Sequence, residues 1–271
     1  MARGLPRRVE PDEKVILHAH VLRTERVSPS FQRVTITGEA LRRYAPLGYD
    51  QWFRLFLPAP GHNDMKLPKN PGGLLGYARF LAIPKASRPA LRNYTTRAYR
   101  HGVEGGALPE LDIDFVLHGD EGFASGWAAR AQPGDEVALL DEGILYVPHE
   151  TTRRHLIITD ETGLPALAAI GESLPRDAVG DAVLEVADRA DAELMTLPAG
   201  MTLHVLERAE GLHPGSAALA RVEELALDVD GLYPFAVGES SLATGARRHF
   251  VSERGLPKEQ MTFCGYWKAG H

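Results

Sequence analysis

A six-residue polar segment, RNYTTR at residues 92–97, concentrates side chains that can bind a ligand carrying phosphate. An arginine guanidinium binds phosphate oxygens through two parallel hydrogen bonds, and tyrosine and threonine suit a planar polar group. If the segment is a β-strand, side chains alternate between its faces, so that Arg92, Tyr94 and Thr96 share one face. The other face then carries Asn93, Thr95 and Arg97. For these six residues alone, a half-exposed polar strand without a ligand is the simpler interpretation.

A second segment, HGDEGFASGWA at residues 118–128, follows an alternating strand pattern, LDIDFVL. Its three glycines allow tight turns and a close approach of the backbone to a ligand. Ser125 stands where a helix could begin, and the N–H groups at a helix start bind phosphate well. The alternative is a plain capped helix after a turn, with Trp127 in the core.

Two acids stand together where a strand pattern, HLIITD, ends at Asp160. A helix begins near Leu164, and Thr162 can cap it. A cap does not account for Asp160 and Glu161 side by side at the mouth of a sheet. Such acids could meet a ribose or the edge of a flavin, and a capping role alone is the alternative.

A later strand pattern, YPFAVG, leads into Gly238 and Glu239. A glycine at the mouth of a sheet leaves room for a nicotinamide ring. Each basic residue nearby can also be interpreted as part of a solvated surface. The cations that could meet a nucleotide phosphate or an anionic substrate are Arg97, Arg247, Arg248, Lys258 and Lys268.

These segments lie in two regions with different hydrophobic patterns. From residue 14 to about 147, short alternating strands separated by glycine and proline predict a six-stranded antiparallel β-barrel, with a long loop from Pro58 to Pro89. Beyond residue 150, five apolar strands alternate with helices and predict a doubly wound, mostly parallel α/β sheet. We place the domain boundary between residues 148 and 149. Ligands of such sheets bind outside the carboxyl ends of the strands.

The composition restricts the possible partners. The 271 residues carry a net charge of −6, which argues against nucleic acid, and one cysteine, which excludes an intramolecular disulfide. The histidines lack metal-ligand spacing, so we expect no metal. No apolar run approaches the length of about 20 residues of a membrane span, and no secretory signal is present. We therefore expect a cytoplasmic protein that is monomeric by default.

Together the segments indicate more than each does alone. A flavin held between a barrel and a sheet needs a cation for its pyrophosphate, an aromatic ring or hydroxyl beside its ring system, and hydrogen bonds near N5, and residues 92–97 offer all three. In order, RNYTT, HGDEGFASGWA, DETGLPA, VGES, RRHF and GYWKAG resemble the siderophore-interacting protein family. These proteins are flavin-dependent ferric-siderophore reductases of the ferredoxin–NADP reductase superfamily. The resemblance runs from about residue 17 to the C-terminus.

The resemblance implies an FAD site on the barrel. The family's R-x-Y-T/S motif falls on Arg92, Tyr94 and Thr95. These residues would hold the pyrophosphate, line the flavin and approach N5, with Thr96 as a second candidate for N5. Phe123 stands where the family usually has proline. The family's phosphate and adenine segment matches His118, Gly122, Ala124, Ser125 and Trp127.

For the second domain, the resemblance assigns Asp160, Glu161 and Thr162 to the family's acid–acid–threonine loop. Gly238 and Glu239 match the end that binds the pyridine nucleotide, NADPH or NADH.

The implied activity is that of an FAD-dependent NAD(P)H:ferric-siderophore oxidoreductase that reduces Fe(III) to Fe(II) in the cytoplasm. A nicotinamide delivers two electrons as a hydride whereas ferric iron accepts one, so a flavin is needed between them. The alternatives are a flavin reductase with another acceptor, a flavin- or siderophore-binding protein without turnover, and ferredoxin as the electron donor. Because siderophore chelates are often anionic, a chain of net charge −6 needs a local positive patch to bind them.

Overall fold

The computed structural model describes residues 7–59, 61, 65, 67–68, 73–117 and 122–270. The chain divides into two compact units. Residues 10–47 and 51–143 form the first, here called the barrel unit. The second, the sheet unit, consists of residues 144–271 with residues 48–50 and the N-terminal residues up to Val9. The boundary predicted after residue 148 stays a prediction.

The barrel unit is built on one antiparallel sheet with the strand order β4-β3-β7-β1-β2-β6-β5. Its edge strands β4 and β5 are consecutive in the chain and are separated only by Thr96 and Arg97. The N–H of Thr96 donates to the carbonyl of Gln51 at 2.8 Å, and that of Arg97 donates to the carbonyl of Asp112 at 2.9 Å. The two residues thus join one edge of the sheet to the other. The strands are β1 (Ile16–Arg26), β2 (Phe31–Thr37), β3 (Trp52–Leu57), β4 (Ala90–Thr95), β5 (Ala98–Arg100), β6 (Glu110–Val116) and β7 (Glu136–Gly143).

The antiparallel barrel-type sheet is confirmed, and its strand count is corrected from six to seven among the described residues. The predicted strand through residues 92–97 is broken where the chain passes from β4 to β5. The long loop predicted from Pro58 to Pro89 is wrong in part, because helix α1 (Gly73–Leu81) lies within it. Phe80 of α1 is buried against Phe56, with ring centroids 5.6 Å apart, and this contact holds the short helix on β3.

Strand alternation builds the core of the barrel unit. Leu111, Ile113 and Phe115 of β6 point into the core and are at most 1% exposed. The intervening acids, Asp112 and Asp114, point to the other face, where arginines of β5 and β2 pair with them. Helix α2 (Phe123–Arg130) follows β6 and packs against β2, β4 and β6.

The sheet unit contains a parallel sheet with the strand order β10-β9-β8-β11-β12. All five predicted strands are present. The order reverses between β8 and β11, so these neighbours form the topological switch point at which such sheets bind ligands. The strands are β8 (Arg154–Asp160), β9 (Val179–Val186), β10 (Gly200–Glu207), β11 (Leu232–Glu239) and β12 (Thr262–Trp267).

Helices cover the parallel sheet. Helices α4 and α5 pack on the face that carries Leu156 and Ile158, which are completely buried. The right-handed rule for crossovers predicts that α3 covers the opposite face. A six-residue π-helix, Arg248–Glu253, continues α5. In the described part of the chain, no helix has the length and hydropathy needed to span a bilayer. The helices are α3 (Leu164–Ser173), α4 (Ser216–Glu224) and α5 (Ser240–Arg247).

Candidate functional site

In the barrel unit, strand β4 places a cation beside an aromatic ring. Arg92 and Asn93 are exposed, whereas Tyr94 is half-buried. The ring centroid of Tyr94 lies 4.3 Å from that of Phe115, which lies 5.7 Å from that of Trp127. Burial raises the pKa of the Tyr94 hydroxyl, so the phenol stays neutral at physiological pH. A line of three rings through β4, β6 and α2 therefore fixes Tyr94 next to an exposed guanidinium.

The end of β4 does not continue the predicted alternation of faces. Thr95 and Thr96 are both buried, and the hydroxyl of Thr96 hydrogen-bonds to the phenol of Tyr44. The Nε of Arg97 lies 3.8 Å from a carboxylate oxygen of Asp114, and the Arg97 side chain is 11% exposed. Because Arg97 faces a buried carboxylate, much of its charge is compensated within the barrel unit. Its role in substrate binding stays a prediction.

Helix α2 presents its first turn beside β4. The helix begins at Phe123 and not at Ser125, and Gly122 is its N-cap in an extended conformation. No described side chain caps this end, and Ala124 and Ser125 are buried within the first turn. The first N–H groups of α2 therefore lie on an element that packs against the strand of the exposed arginine. His118, the remaining predicted residue of this segment, lies outside the described residues.

The donor set of the barrel unit fits FAD, which presents two phosphates and a planar ring system. A guanidinium and backbone N–H groups are good donors to phosphate oxygens. Arg92 offers the first, and the start of α2, which no described side chain caps, offers the second. A flat ring needs an aromatic or hydroxyl-bearing surface, which Tyr94 supplies. These three features belong to adjacent elements of one unit.

In the sheet unit, Asp160 lies at the carboxyl end of β8 and is completely buried. Its Oδ1 accepts hydrogen bonds from the N–H and the hydroxyl of Thr162 at 2.9 and 2.5 Å. Its Oδ2 accepts from the N–H of Glu239 at 2.6 Å and from the indole of Trp267 at 3.0 Å. Burial raises the pKa of Asp160, and hydrogen bonds from these three residues oppose the rise. One carboxylate thus links the ends of β8, β11 and β12.

Gly238 and Glu239 adopt a tightly defined arrangement beside Asp160. Gly238 has φ +117°, and a Cβ there would lie 2.7 Å from the carboxyl carbon of Asp160. Glu239 caps α5 by accepting hydrogen bonds from the N–H and hydroxyl of Ser241, and it also accepts from the N–H of Ala269 at 3.2 Å. Burial would raise the pKa of Glu239, but these hydrogen bonds lower it below its ordinary value. Both predicted residues are therefore held rigidly at the mouth of the sheet.

Two charged residues at this edge, Arg208 and Glu185, were not predicted from the sequence. Glu161 is 2% exposed and accepts hydrogen bonds from both terminal nitrogens of Arg208, at 2.7 and 2.9 Å. Arg208 also lies 3.4 Å from Glu185. Both carboxylate oxygens of Glu161 thus accept from Arg208. Its contact with a cofactor stays a prediction. Arg208 could have been predicted from the sequence, because it directly follows β10. The carboxyl ends of parallel strands meet at one edge of the sheet, and Asp160 lies at that edge.

Four of the five predicted substrate-binding cations lie in the sheet unit. The guanidinium carbon of Arg247 lies 5.3 Å from the ring centroid of Phe263, a cation–π contact. Arg248, the first residue of the π-helix, pairs with Glu253 at 3.5 Å. In the described ranges, no group of three or more His, Cys, Asp or Glu side chains could hold a metal ion. The other two cations are exposed lysines, Lys258 and Lys268.

Comparison with known proteins gives two matches to family models. Residues 20–144 match the siderophore-interacting FAD-binding domain, and residues 152–270 match the siderophore-interacting protein model. The two models cover the parts of the chain that contain the sites described above.

Individual relatives are similar along nearly their whole length. The NADPH-dependent ferric-chelate reductase of Escherichia coli (strain K12) is 32% identical over 97% of each chain. The ferric vibriobactin reductase ViuB of Vibrio cholerae serotype O1 is 29% identical over 92% of this chain and 88% of its own. The crystal structure of a siderophore utilization protein from T. fusca superimposes with a TM-score of 0.80 at 28% identity, over 98% of this chain and 97% of that one. The chain belongs to the siderophore-interacting protein family.

Proposed function

We propose that this chain is an FAD-dependent NAD(P)H:ferric-siderophore oxidoreductase that releases iron by reducing Fe(III) to Fe(II). Both family models are matched in order along the chain, and near full-length relatives carry the names NADPH-dependent ferric-chelate reductase and ferric vibriobactin reductase. The observation that carries the proposal is the donor set of the barrel unit. An exposed Arg92, a fixed Tyr94 and the start of α2, which no described side chain caps, lie on adjacent elements.

The barrel unit is proposed to bind FAD. Arg92 neutralises the pyrophosphate, Tyr94 lines the ring system, and the hydroxyls of Thr95 and Thr96 lie at the end of the same strand. Bound FAD supplies the ability to accept a hydride and to pass electrons on singly. The residues proposed to complete this site are Asn93, His118, Gly122, Phe123, Ala124, Ser125 and Trp127.

The sheet unit is proposed to bind the reduced nucleotide, NADPH or NADH, at the switch point between β8 and β11. Gly238 is buried at the end of β11, and the Asp160 carboxylate fills the space where its side chain would stand. Asp160 and Glu239 have their carboxylate oxygens engaged by main-chain and side-chain donors, so they orient the site and do not transfer protons. Glu161 and Thr162 belong to the same turn after β8.

The substrate is proposed to be a ferric siderophore. The iron stays within its chelate until it is reduced, so the protein needs to supply no ligand to it. Because the chain has a net charge of −6, an anionic chelate requires a local cationic surface. We propose that the sheet unit provides this surface, with Arg97 of the barrel unit as a weaker candidate because it already faces Asp114. The cations of the sheet unit are Arg247, Arg248, Lys258 and Lys268.

An absorption spectrum of the purified protein tests this function. We expect flavin bands that bleach under anaerobic conditions with NADPH or NADH and return when a ferric siderophore is added. Flavin that binds but stays oxidised with both nucleotides would favour a carrier, or ferredoxin as donor. A colourless protein that takes up no FAD at micromolar concentrations would refute the proposal.

We also propose that the protein acts as a monomer in the cytoplasm. Light scattering after gel filtration tests the oligomeric state, and fractionation of the source cells tests the location. A stable dimer, or recovery outside the cytoplasmic fraction, would reject the corresponding statement.

A further inference from the structure

The carboxylate of Asp160 accepts hydrogen bonds from three separate chain segments. A carboxylate offers about four acceptor positions. Thr162 in the turn after β8 fills two of them, and Glu239 of β11 and Trp267 of β12 fill the others. The three strands are far apart in sequence. Asp160 therefore supplies a direct link between their ends at the switch point.

The segment beside Asp160 is the carboxyl end of β11, where Gly238 and Glu239 are both buried. A Cβ at Gly238 would approach the Asp160 carboxylate to 2.7 Å, so the backbone and the carboxylate are in van der Waals contact. Ser240 donates its hydroxyl hydrogen bond to the carbonyl of Trp267 at 2.7 Å, which adds a second link between the ends of β11 and β12. Movement of Asp160 would therefore displace both Gly238 and Trp267.

We propose that Asp160 is a positioning residue of the reduced-nucleotide site. It holds the main chain at Gly238 and Glu239, and the indole of Trp267, in the arrangement to which the nicotinamide half of NADPH or NADH binds. This inference rests on the proposed function, because it assumes a nicotinamide nucleotide as electron donor. Asp160 itself touches no reacting atom and transfers no proton.

The variant Asp160→Asn tests the proposal with little change in volume. In asparagine an NH₂ group replaces one of the two carboxylate oxygens, and this group can only donate. The two donors that share that oxygen in the wild type therefore lose their acceptor. In the FAD-loaded protein, we expect the Kd for NADP⁺ or NAD⁺ and the KM for the reduced nucleotide to rise about tenfold or more. We expect kcat at saturating nucleotide to fall less, and the FAD content to stay unchanged.

Asp181→Asn is the matched control. Asp181 is also a buried carboxylate of the same sheet, 4% exposed, and accepts hydrogen bonds from Arg154 at 2.7 Å and His204 at 2.9 Å. It lies near the amino end of β9, away from the carboxyl ends of the strands where Asp160 lies. We expect a loss of stability with nucleotide binding within about twofold of the wild type. An equal loss of nucleotide affinity in both variants would overturn the positioning role.

A second variant decides the question if Asp160→Asn is not recovered folded. Trp267→Phe removes one hydrogen bond to Asp160 and keeps an aromatic ring. We expect it to weaken nucleotide binding several-fold, and an unchanged Kd would reject the proposal. The two levels of failure are distinct. If the wild-type protein binds no nucleotide, the proposed function is refuted. If the wild type and the variants bind the nucleotide equally tightly, only the role of Asp160 is refuted.

Discussion

Strand β4 carries an exposed charge at Arg92 and, two residues later, an aromatic ring at Tyr94 that is fixed by packing. In the described part of the chain Arg92 forms no ion pair, and its Nη1 donates only to the carbonyl of Leu91, at 2.8 Å. Tyr94 is held against Phe115 by burial and ring contact. A guanidinium without a carboxylate partner keeps its charge for a phosphate. We therefore expect the proposed flavin site to depend on the charge of Arg92.

Removal of that charge tests the dependence. We expect Arg92→Ala to weaken FAD binding to the apoprotein by about 10- to 100-fold, because a charge-assisted hydrogen bond contributes about 1.5–3 kcal/mol. Quenching of FAD fluorescence on titration with protein measures the change. Arg79→Ala, which removes another exposed arginine of the barrel unit, is the control and should bind FAD like the wild type. Equal affinity of the Arg92 and Arg79 variants would contradict the assignment.

The buried carboxyl group of Asp50 should make the free energy of unfolding depend on pH. It is 1% exposed and accepts N–H hydrogen bonds from Leu145 and Tyr146, and burial raises its pKa to about 6. An acid whose pKa is higher in the folded state holds its proton more tightly there, so the free energy of unfolding falls as the pH rises from about 4 to 6. A shift of about two pH units corresponds to a fall of about 3 kcal/mol.

Urea unfolding of Asp50→Asn between pH 4 and 7 measures this effect. We expect the stability of the variant relative to the wild type to increase over that range, because the variant lacks the buried ionisation. Asp177→Asn provides the control at an exposed aspartate and should follow the wild-type profile. Parallel profiles for Asp50→Asn and the wild type would count against a raised pKa at Asp50.

At the scale of elements, Glu185 couples a strand to a helix. Its carboxylate accepts N–H hydrogen bonds from Gly215, Ala217 and Ala218 at 2.8–3.0 Å, at the start of α4. The same side chain lies 3.4 Å from Arg208. A carboxylate at a helix N-terminus stabilises the helix by satisfying its first N–H groups and opposing its dipole. Strand β9 therefore supplies the cap of α4.

We expect Glu185→Gln to lower the free energy of unfolding by about 2 kcal/mol, since it removes a buried charge from several donors. Urea denaturation measures the loss, and hydrogen exchange should show faster exchange in the first turn of α4. Glu224→Gln, at the other end of the helix, removes an exposed pairing with Arg221 and should cost less than about 0.5 kcal/mol. A similar loss in both variants would show that Glu185 is not the cap.

The elements that could be predicted are those whose burial pattern is local. The alternation of Leu111, Ile113 and Phe115 identified β6, and apolar runs identified the five parallel strands. Helix α1 was missed because its glycine- and proline-rich surroundings indicate a loop, while the contact of Phe80 with Phe56 that holds it is long-range. The break between β4 and β5 was missed for the same reason, since pairing with two different strands produces it.

The candidate site was predictable only in part. The position of Asp160 at a strand end follows from the sequence, but its link to Trp267 spans 107 residues and becomes visible only in the fold. The pairing of Glu161 with Arg208 likewise joins the ends of two strands that are not adjacent. The sequence therefore predicted which segments could bind a cofactor, while the hydrogen-bond partners of each carboxylate became visible only in the structure.

At the scale of the whole molecule, the net charge of −6 opposes the approach of an anionic chelate. If the cations of the sheet unit attract the substrate locally, salt must weaken that attraction, because the Debye length falls from about 10 Å at 0.1 M salt to about 3 Å at 1 M. We expect kcat/KM for an anionic ferric siderophore to fall several-fold over this range and kcat/KM for a neutral chelate to change little. A flat profile for the anionic chelate would remove electrostatic attraction from the account.

The ratio of Fe(II) formed to nucleotide oxidised is a direct test of electron transfer from the nucleotide through FAD to the ferric siderophore. The oxidation of one reduced nucleotide supplies two electrons, and each ferric siderophore accepts one. With limiting NADPH or NADH under anaerobic conditions, and a chelator that forms a coloured complex with Fe(II), we expect two Fe(II) per nucleotide oxidised, and only when FAD is bound. Nucleotide oxidation without Fe(II), or Fe(II) formed at the same rate by the FAD-free protein, would contradict it.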